Sequence, residues 1–350
     1  MVHPSWWAGI VRPGVLAVGM AAVLQGCASS GLDVAAIGNY YVGGHEARLS
    51  GLPKTSISTS AGMAPFPYDP NGEFETGQMY VNYTRLSHPK ARYPMLMWHG
   101  GGMSGVTWQT KPDGKPGWEQ YFLGAGYDVY ISDSVERGRS GWSQFPQIYA
   151  SAPIFRAKKE FWELFRIGPM GSYKNSGDKT AYPDSQFPVS DFDVAAMQST
   201  PRWLTNDGIT QQAYDEYVQK ACPCILVAHS QGTSFAVQAA LKAPDKIKAL
   251  VLVEASSSPD PAKVPVAAMA SVPTLYLWGD HIADDPLWPR FQSVSRKFYE
   301  ALSKVDRNAE WLELPSLGIH GNGHLMMMDR NSDQIAGIID GWLASKGMKR

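Results

Sequence analysis

Cysteine is nearly absent, with three residues in 350. Cys27, Cys222 and Cys224 cannot make the disulfide framework of a small secreted scaffold. Cys222 and Cys224 have no second pair to complete a metal knot, so no metal is implied. Long hydrophobic runs are lacking too. The N-terminal run Val15–Leu24 is too short to span a bilayer as a helix. Charge of one sign is missing: 31 Lys and Arg face 32 Asp and Glu, and no basic stripe appears. Nucleic acid is therefore not an expected partner. No internal repeat is present, which excludes solenoids and propellers. Aromatic residues, by contrast, are plentiful, with 12 Trp, 16 Tyr and 12 Phe. With 44% hydrophobic residues, the chain is long enough for one large α/β domain or two small ones.

The first residues read as a targeting segment. Arg12 supplies a positive start, Val15–Leu24 the apolar run, and Leu24-Gln-Gly-Cys27 resembles a bacterial lipobox. On that reading residues 1–26 are removed and Cys27 is lipidated. Residues 27–38 form a tether, and several acyl chains on one residue hold the protein to a membrane. Ala28 after the cysteine favours the outer membrane, facing the periplasm or the exterior. Plain cleavage near Ala28–Ser30 would instead give a periplasmic or secreted protein.

The chain is organised around Ile225-Leu-Val-Ala-His-Ser-Gln-Gly-Thr-Ser234. Its first four residues read as a buried strand, Ser230–Gly232 as a sharp turn, and Phe235–Leu241 as a helix. A serine at the apex of a strand–turn–helix is a nucleophile elbow. Small residues, here Ala228 and Gly232, let strand and helix close around it. Upstream, the strand Tyr93–Trp98 ends in His99-Gly-Gly-Gly102. Glycines there can turn backbone N–H groups toward a site. Gly101 and Gln231 are the expected oxyanion donors, with Gly102 the alternative to Gly101, and His99 braces the loop.

Alternation of strand and helix predicts a mostly parallel sheet. Tyr40–Gly43 and Gln78–Thr84 read as an early antiparallel edge, with Leu52–Gly72 as loop between them. Helix Trp118–Ala125 and strand Tyr127–Ser132 follow. Later strands end at Glu254, at Asp280 and near Leu314, and helices cover Phe291–Val305 and Ile335–Ala344. Between Gly141 and Gln219 the rhythm breaks in a segment rich in aromatics, far longer than a crossover needs. It reads as a lid-like insertion whose aromatics wall a binding cleft.

Serine needs a base, and the base an orienting acid. The order Ser230, acid, late histidine is that of one hydrolase architecture. His324, in the glycine-rich loop after the last strand, is the expected base, with His320 its competitor; His229 should point away along the elbow. Glu254 and Asp280 are both candidate acids. Cys222 and Cys224 read as two small buried residues at the start of the elbow strand, the alternative being a strained disulfide.

Four stretches carry a resemblance to the bacterial esterases typified by the Alcaligenes esterase, of α/β-hydrolase fold. They are His99-Gly100 with Val106–Trp118, Arg137-Gly-Arg-Ser140, the elbow, and Gly318–Arg330. The resemblance covers most of residues 40–345. It implies a carboxylic-ester hydrolase acting through an acyl-enzyme on Ser230, with His324 as base and Glu254 as acid. It implies no metal or organic cofactor, and a small or polymeric ester as partner. That group's example carries adjacent cysteines in the oxyanion loop, where this chain has Gly101-Gly102. Other acyl chemistry on the same triad (lactonase, amidase or acyltransferase) and a non-catalytic surface lipoprotein are the competing readings.

Overall fold

A computed structural model of the chain describes residues 31–350 apart from Gln144. The expected signal segment, Cys27 and the first part of the tether lie outside the described residues. Eight strands form one sheet: β1 (Val34–Leu49), β2 (Gly72–Leu86), β3 (Met95–Trp98), β4 (Val129–Asp133), β5 (Cys224–His229), β6 (Ile247–Val253), β7 (Thr274–Trp278) and β8 (Ala309–Glu313). Their spatial order is β1-β2-β4-β3-β5-β6-β7-β8. β2 runs antiparallel to both its neighbours and every later pairing is parallel. The expected antiparallel edge is the centre of the β1–β2 pair, where Tyr40 faces Val81.

The inner strands are apolar on both faces because both faces are covered. Met95, Met97, Ile225, Val227, Val251 and Leu275 face one core, with helices α1 (Trp118–Gly124) and α7 (Ser332–Ser345). Leu96, Trp98, Leu226, Ala228, Leu250 and Tyr276 face the other. There they meet α4 (Asp207–Ala221), α5 (Gln231–Lys242) and α6 (Trp288–Leu302). The one-residue alternation between the two cores is the pleat of the sheet.

Four expectations need correction. β1 starts at Val34, so the end of the expected tether is already paired with β2. Its exposed–intermediate alternation is that of an edge strand, which composition alone reads as linker. The stretch 52–72, expected as loop, holds a short antiparallel pair, Thr55–Ile57 with Phe66–Tyr68. The insertion ends earlier than Gln219: α4 packs on β1 and β2 and belongs to the layer flanking the sheet. Lastly, Cys222 and Cys224 are bonded to each other. The turn entering β5 brings their Cα atoms to 4.4 Å, at the short limit for a bridge.

The remainder of the insertion is a small layer of its own. It contains α2 (Lys158–Leu164), α3 (Phe192–Ala196) and the pair Tyr173–Asn175 with Asp178–Lys179. Its aromatics mostly pack on one another: Phe161 and Trp162 both meet Phe192 edge-on. They join the core that includes α1 and α7. Among the described residues no helix is long and apolar enough to cross a membrane.

Candidate active site

Ser230 sits between β5 and α5 with φ 51° and ψ −119°. A serine held there costs about 1–3 kcal/mol, which the packing around it must hold in place. Ser230 N–H donates to Val253 O at 3.0 Å, tying the turn to β6. A Cβ on Gly232 would lie 2.7 Å from His99 O, so only glycine lets α5 close on the loop after β3. Gln231 is the first residue of α5, and its N–H has no partner within the helix. The helix dipole adds positive potential at that end.

His324 and Glu254 meet. His324 Nδ1 lies 3.2 Å from Glu254 Oε2, both groups fully buried. Glu254 follows β6, also with a positive φ of 52°. Its other oxygen, Oε1, accepts from Gly279 N–H at 2.6 Å and from Arg166 Nη2 at 2.8 Å. Both oxygens are thus fixed, and the rotamer with them. Arg166 lies over the Trp288 ring at 4.4 Å and donates Nε–H to Asp280 O. The imidazole of His324 packs against Trp288, His229 and Phe165. Its backbone N–H donates to Phe165 O at 2.9 Å. Burial first, then the Arg166 and Arg156 guanidiniums, push the His324 pKa well below that of free imidazole.

Asp280 is elsewhere. Its Oδ2 lies 3.0 Å from His320 Nδ1 and accepts from Gly321 N–H, while Oδ1 accepts from His281 N–H. The two candidate acids therefore pair with the two candidate bases, Glu254 with His324 and Asp280 with His320. His320 is more than half exposed, outside the buried pair. His229 does not point away as expected: its Nε2–H donates to His324 O at 2.8 Å. The glycine-rich loop leaves that carbonyl free to accept, a contact that strand periodicity does not show.

The loop after β3 is braced as expected. His99 Nδ1–H donates to Gly100 O at 2.8 Å and Nε2 accepts from Ser134 N–H at 3.0 Å. These bonds need one neutral tautomer. Burial, with Arg137 nearby, lowers its pKa to about 4 and keeps the ring neutral. Gly105 N–H and Arg139 both bind Asp133 at the end of β4, which links the Arg137–Ser140 turn to the same loop.

Ser230 and His324 line one cavity of about 630 Å³. Gly101, Gln231, Leu164, Phe165, Trp288 and Phe291 share it, with Arg156, Arg202 and Asp207. Among the described residues no hydrogen bond joins Ser230 Oγ to His324, a contact that often tightens only around substrate. The insertion does reach the cavity, but chiefly through Leu164, Phe165 and two arginines; Phe161, Trp162, Tyr173, Phe187 and Phe192 are turned into the core, while Trp142 and Phe155 are exposed away from the cavity lining. Sequence reasoning missed Arg166. The signal was a lone cation in the apolar run Phe161-Trp-Glu-Leu-Phe-Arg-Ile167.

A sheet with this strand order, a strained serine between strand and helix, and a buried carboxylate–imidazole pair beside it define an α/β hydrolase. The family model described as "alpha/beta hydrolase fold" matches residues 220–285, from the elbow to just past Asp280. A solved structure titled as that of a novel bacterial esterase is 32% identical, with a TM-score of 0.77. The match covers 90% of this chain and 97% of that one. A protein from a fungal species (strain ATCC 74256), named a probable secreted lipase, is 24% identical over 328 residues, 78% of this chain and 87% of the relative. The chain belongs to the α/β-hydrolase family and is a hydrolase of that superfamily.

Proposed function

We propose that the protein is a serine carboxylic-ester hydrolase, exported from the cell. The observation that carries the reading is the His324 Nδ1 to Glu254 Oε2 contact at 3.2 Å, beside a cavity that Ser230 and His324 both line. Relatives named as an esterase and a secreted lipase support ester hydrolysis and export.

Ser230 Oγ attacks the ester carbonyl carbon while its proton passes to His324 Nε2. Glu254 accepts from Nδ1–H, selects that tautomer and stabilises the imidazolium as it forms. The carbonyl oxygen becomes an oxyanion, met by the N–H groups of Gly101 and Gln231. Donors of this kind are worth about 3–4 kcal/mol each to the barrier. Collapse breaks the bond to the alcohol oxygen, which takes the proton from Nε2 and leaves. Water then attacks the acyl-serine with His324 again as base, releasing the acid and restoring Ser230. A neutral imidazole at rest suits this cycle, and the lowered pKa of His324 keeps it neutral. The part of the insertion before α4 forms one wall of the substrate cavity.

Ser230→Ala should fold and lose nearly all turnover. A serine-directed phosphonate should add a single adduct to the wild type, located at Ser230 by peptide mass mapping. Labelling at another residue, or full activity in the alanine variant, overturns the mechanism.

A further inference from the structure

The cavity carries more positive charge than attack on a neutral ester uses. Among the described residues three cations line it, Arg156, Arg202 and Lys242, against one carboxylate, Asp207. Lys242 is ion-paired with Asp215, and Asp207 Oδ1 accepts from Gln231 Nε2 at 3.0 Å. The arginines are less well matched. Arg156 Nη1 meets Glu160, but its Nε is buried without a partner among the described residues. Arg202 Nε is buried without a partner as well. The carboxylates acting on Arg202 are Asp207 and Glu136, and neither forms an ion pair with it among the described residues. Glu136 is taken up by Arg137, Asn206 Nδ2 and Trp203 N–H.

A guanidinium that lines a cavity without a fully matched carboxylate attracts an oxyanion there. The placement of both side chains says where that anion would sit. A Cβ built on Gly101 would lie 2.7 Å from Arg202 Nη1, and one on Gly102 would lie 3.4 Å from Arg156 Nε. Both cations thus press against the glycine loop, and both line the cavity together with Gly101, Ser230 and Gln231. Planar guanidinium forks match a carboxylate or phosphate in two-bond geometry.

We propose that Arg156 and Arg202 form a subsite for an anionic group on the substrate, so that the preferred ester carries a second, ionised acid a few atoms from the scissile carbonyl. The proposal deepens the serine-hydrolase reading and rests on it. Hemiesters of short dicarboxylic acids have the required chemistry, and an ester of a glycerol phosphate presents the same charge from another source. The subsite binds the charge; the bond broken is still the ester C–O bond, by the steps given above.

The test compares kcat/KM for monomethyl and dimethyl esters of succinic, glutaric and adipic acids, and for a butyryl ester of glycerol phosphate. The wild type should favour an anionic ester over its neutral counterpart by about 10- to 100-fold, the worth of charge-assisted hydrogen bonds. The arm that wins, carboxylate or phosphate, names the anion. Arg202→Gln and Arg156→Gln should lose that preference through KM for the charged ester, and Arg202→Lys should retain part of it. The free dicarboxylate should inhibit neutral-ester turnover competitively in the wild type, a readout that needs no variant to fold. A wild type with no preference for charge, or an Arg202→Gln that slows both ester types equally, overturns the subsite. Phosphonate labelling separates the two failures. With Ser230 labelled and neutral esters turned over, only the subsite is refuted; with Ser230 unlabelled and no ester hydrolysed, the hydrolase reading falls as well.

Discussion

Glu254 is held by three groups, and the consequences differ for each of its oxygens. Oε2 faces His324, while Oε1 takes the Gly279 N–H and the Arg166 guanidinium. Glu254→Gln would let the imidazole adopt the wrong tautomer, which lowers kcat by about 10⁴-fold in comparable triads. It also strips Arg166 of its charge partner in a fully buried site, where breaking an ion pair costs about 3–5 kcal/mol. Activity should therefore be measured on protein shown to be folded, with thermal unfolding alongside. Asp280→Asn should be mild, because Asp280 holds the turn with His320, Gly321 and His281. The reverse ranking of the two variants would move the acid to Asp280. The pH profile tests the base independently. His324 must be neutral to accept the serine proton, and it is neutral above its pKa. Burial and the two guanidiniums depress that pKa, so the acidic limb of kcat/KM should fall below about 6.5, the value of free imidazole. A limb centred at or above that pH contradicts the environment described for His324.

At the scale of elements, what was legible followed from burial pattern. β3, β5, β6 and β7 are buried at every position or nearly so, and each reads in the sequence as a mostly apolar run. The elbow was legible because it combines such a strand with a turn only small residues permit. α4 was not legible as a sheet helix: its faces differ little in polarity, and polar residues such as Thr210 and Gln211 are buried on it. It was therefore absorbed into the insertion. The insertion's aromatics misled for a related reason. Composition shows that a segment is rich in Phe and Trp, but not whether those rings face a cleft or each other. Here edge-on contacts such as Phe161–Phe165 make a core, and the cavity wall falls to Leu164, Phe165, Arg156 and Arg202. Arg166 was hidden because its partner is 88 residues away, beyond any local pattern. The Cys222–Cys224 bridge was misjudged because so short a loop suggests strain, whereas the turn into β5 already holds the two residues together.

At the scale of the whole molecule, the described chain from Leu32 onward forms one compact unit containing every residue assigned to the proposed ester hydrolysis. Residues 1–26 read from the sequence as a lipoprotein signal, with Cys27 the first residue of the mature chain. The proposal is that the anchor and the catalytic unit are separable: acyl chains on Cys27 hold the protein at the outer membrane, and the hydrolase domain works alike whether attached or free. A single acyl chain gives only marginal membrane binding, and stable attachment needs several. Cys27→Ser should therefore abolish attachment altogether, because it removes the only residue on which the chains would be built. Fractionation of the producing cells should move the variant from the membrane pellet to the soluble or secreted fraction. Its kcat/KM toward a short soluble ester should match that of the wild type, since no step of the proposed mechanism uses Cys27. N-terminal sequencing of the mature wild type supplies the decisive measurement. A blocked, diacylglyceryl-modified Cys27 supports the anchor; a free terminus near Ala28–Ser30 replaces it with ordinary secretion.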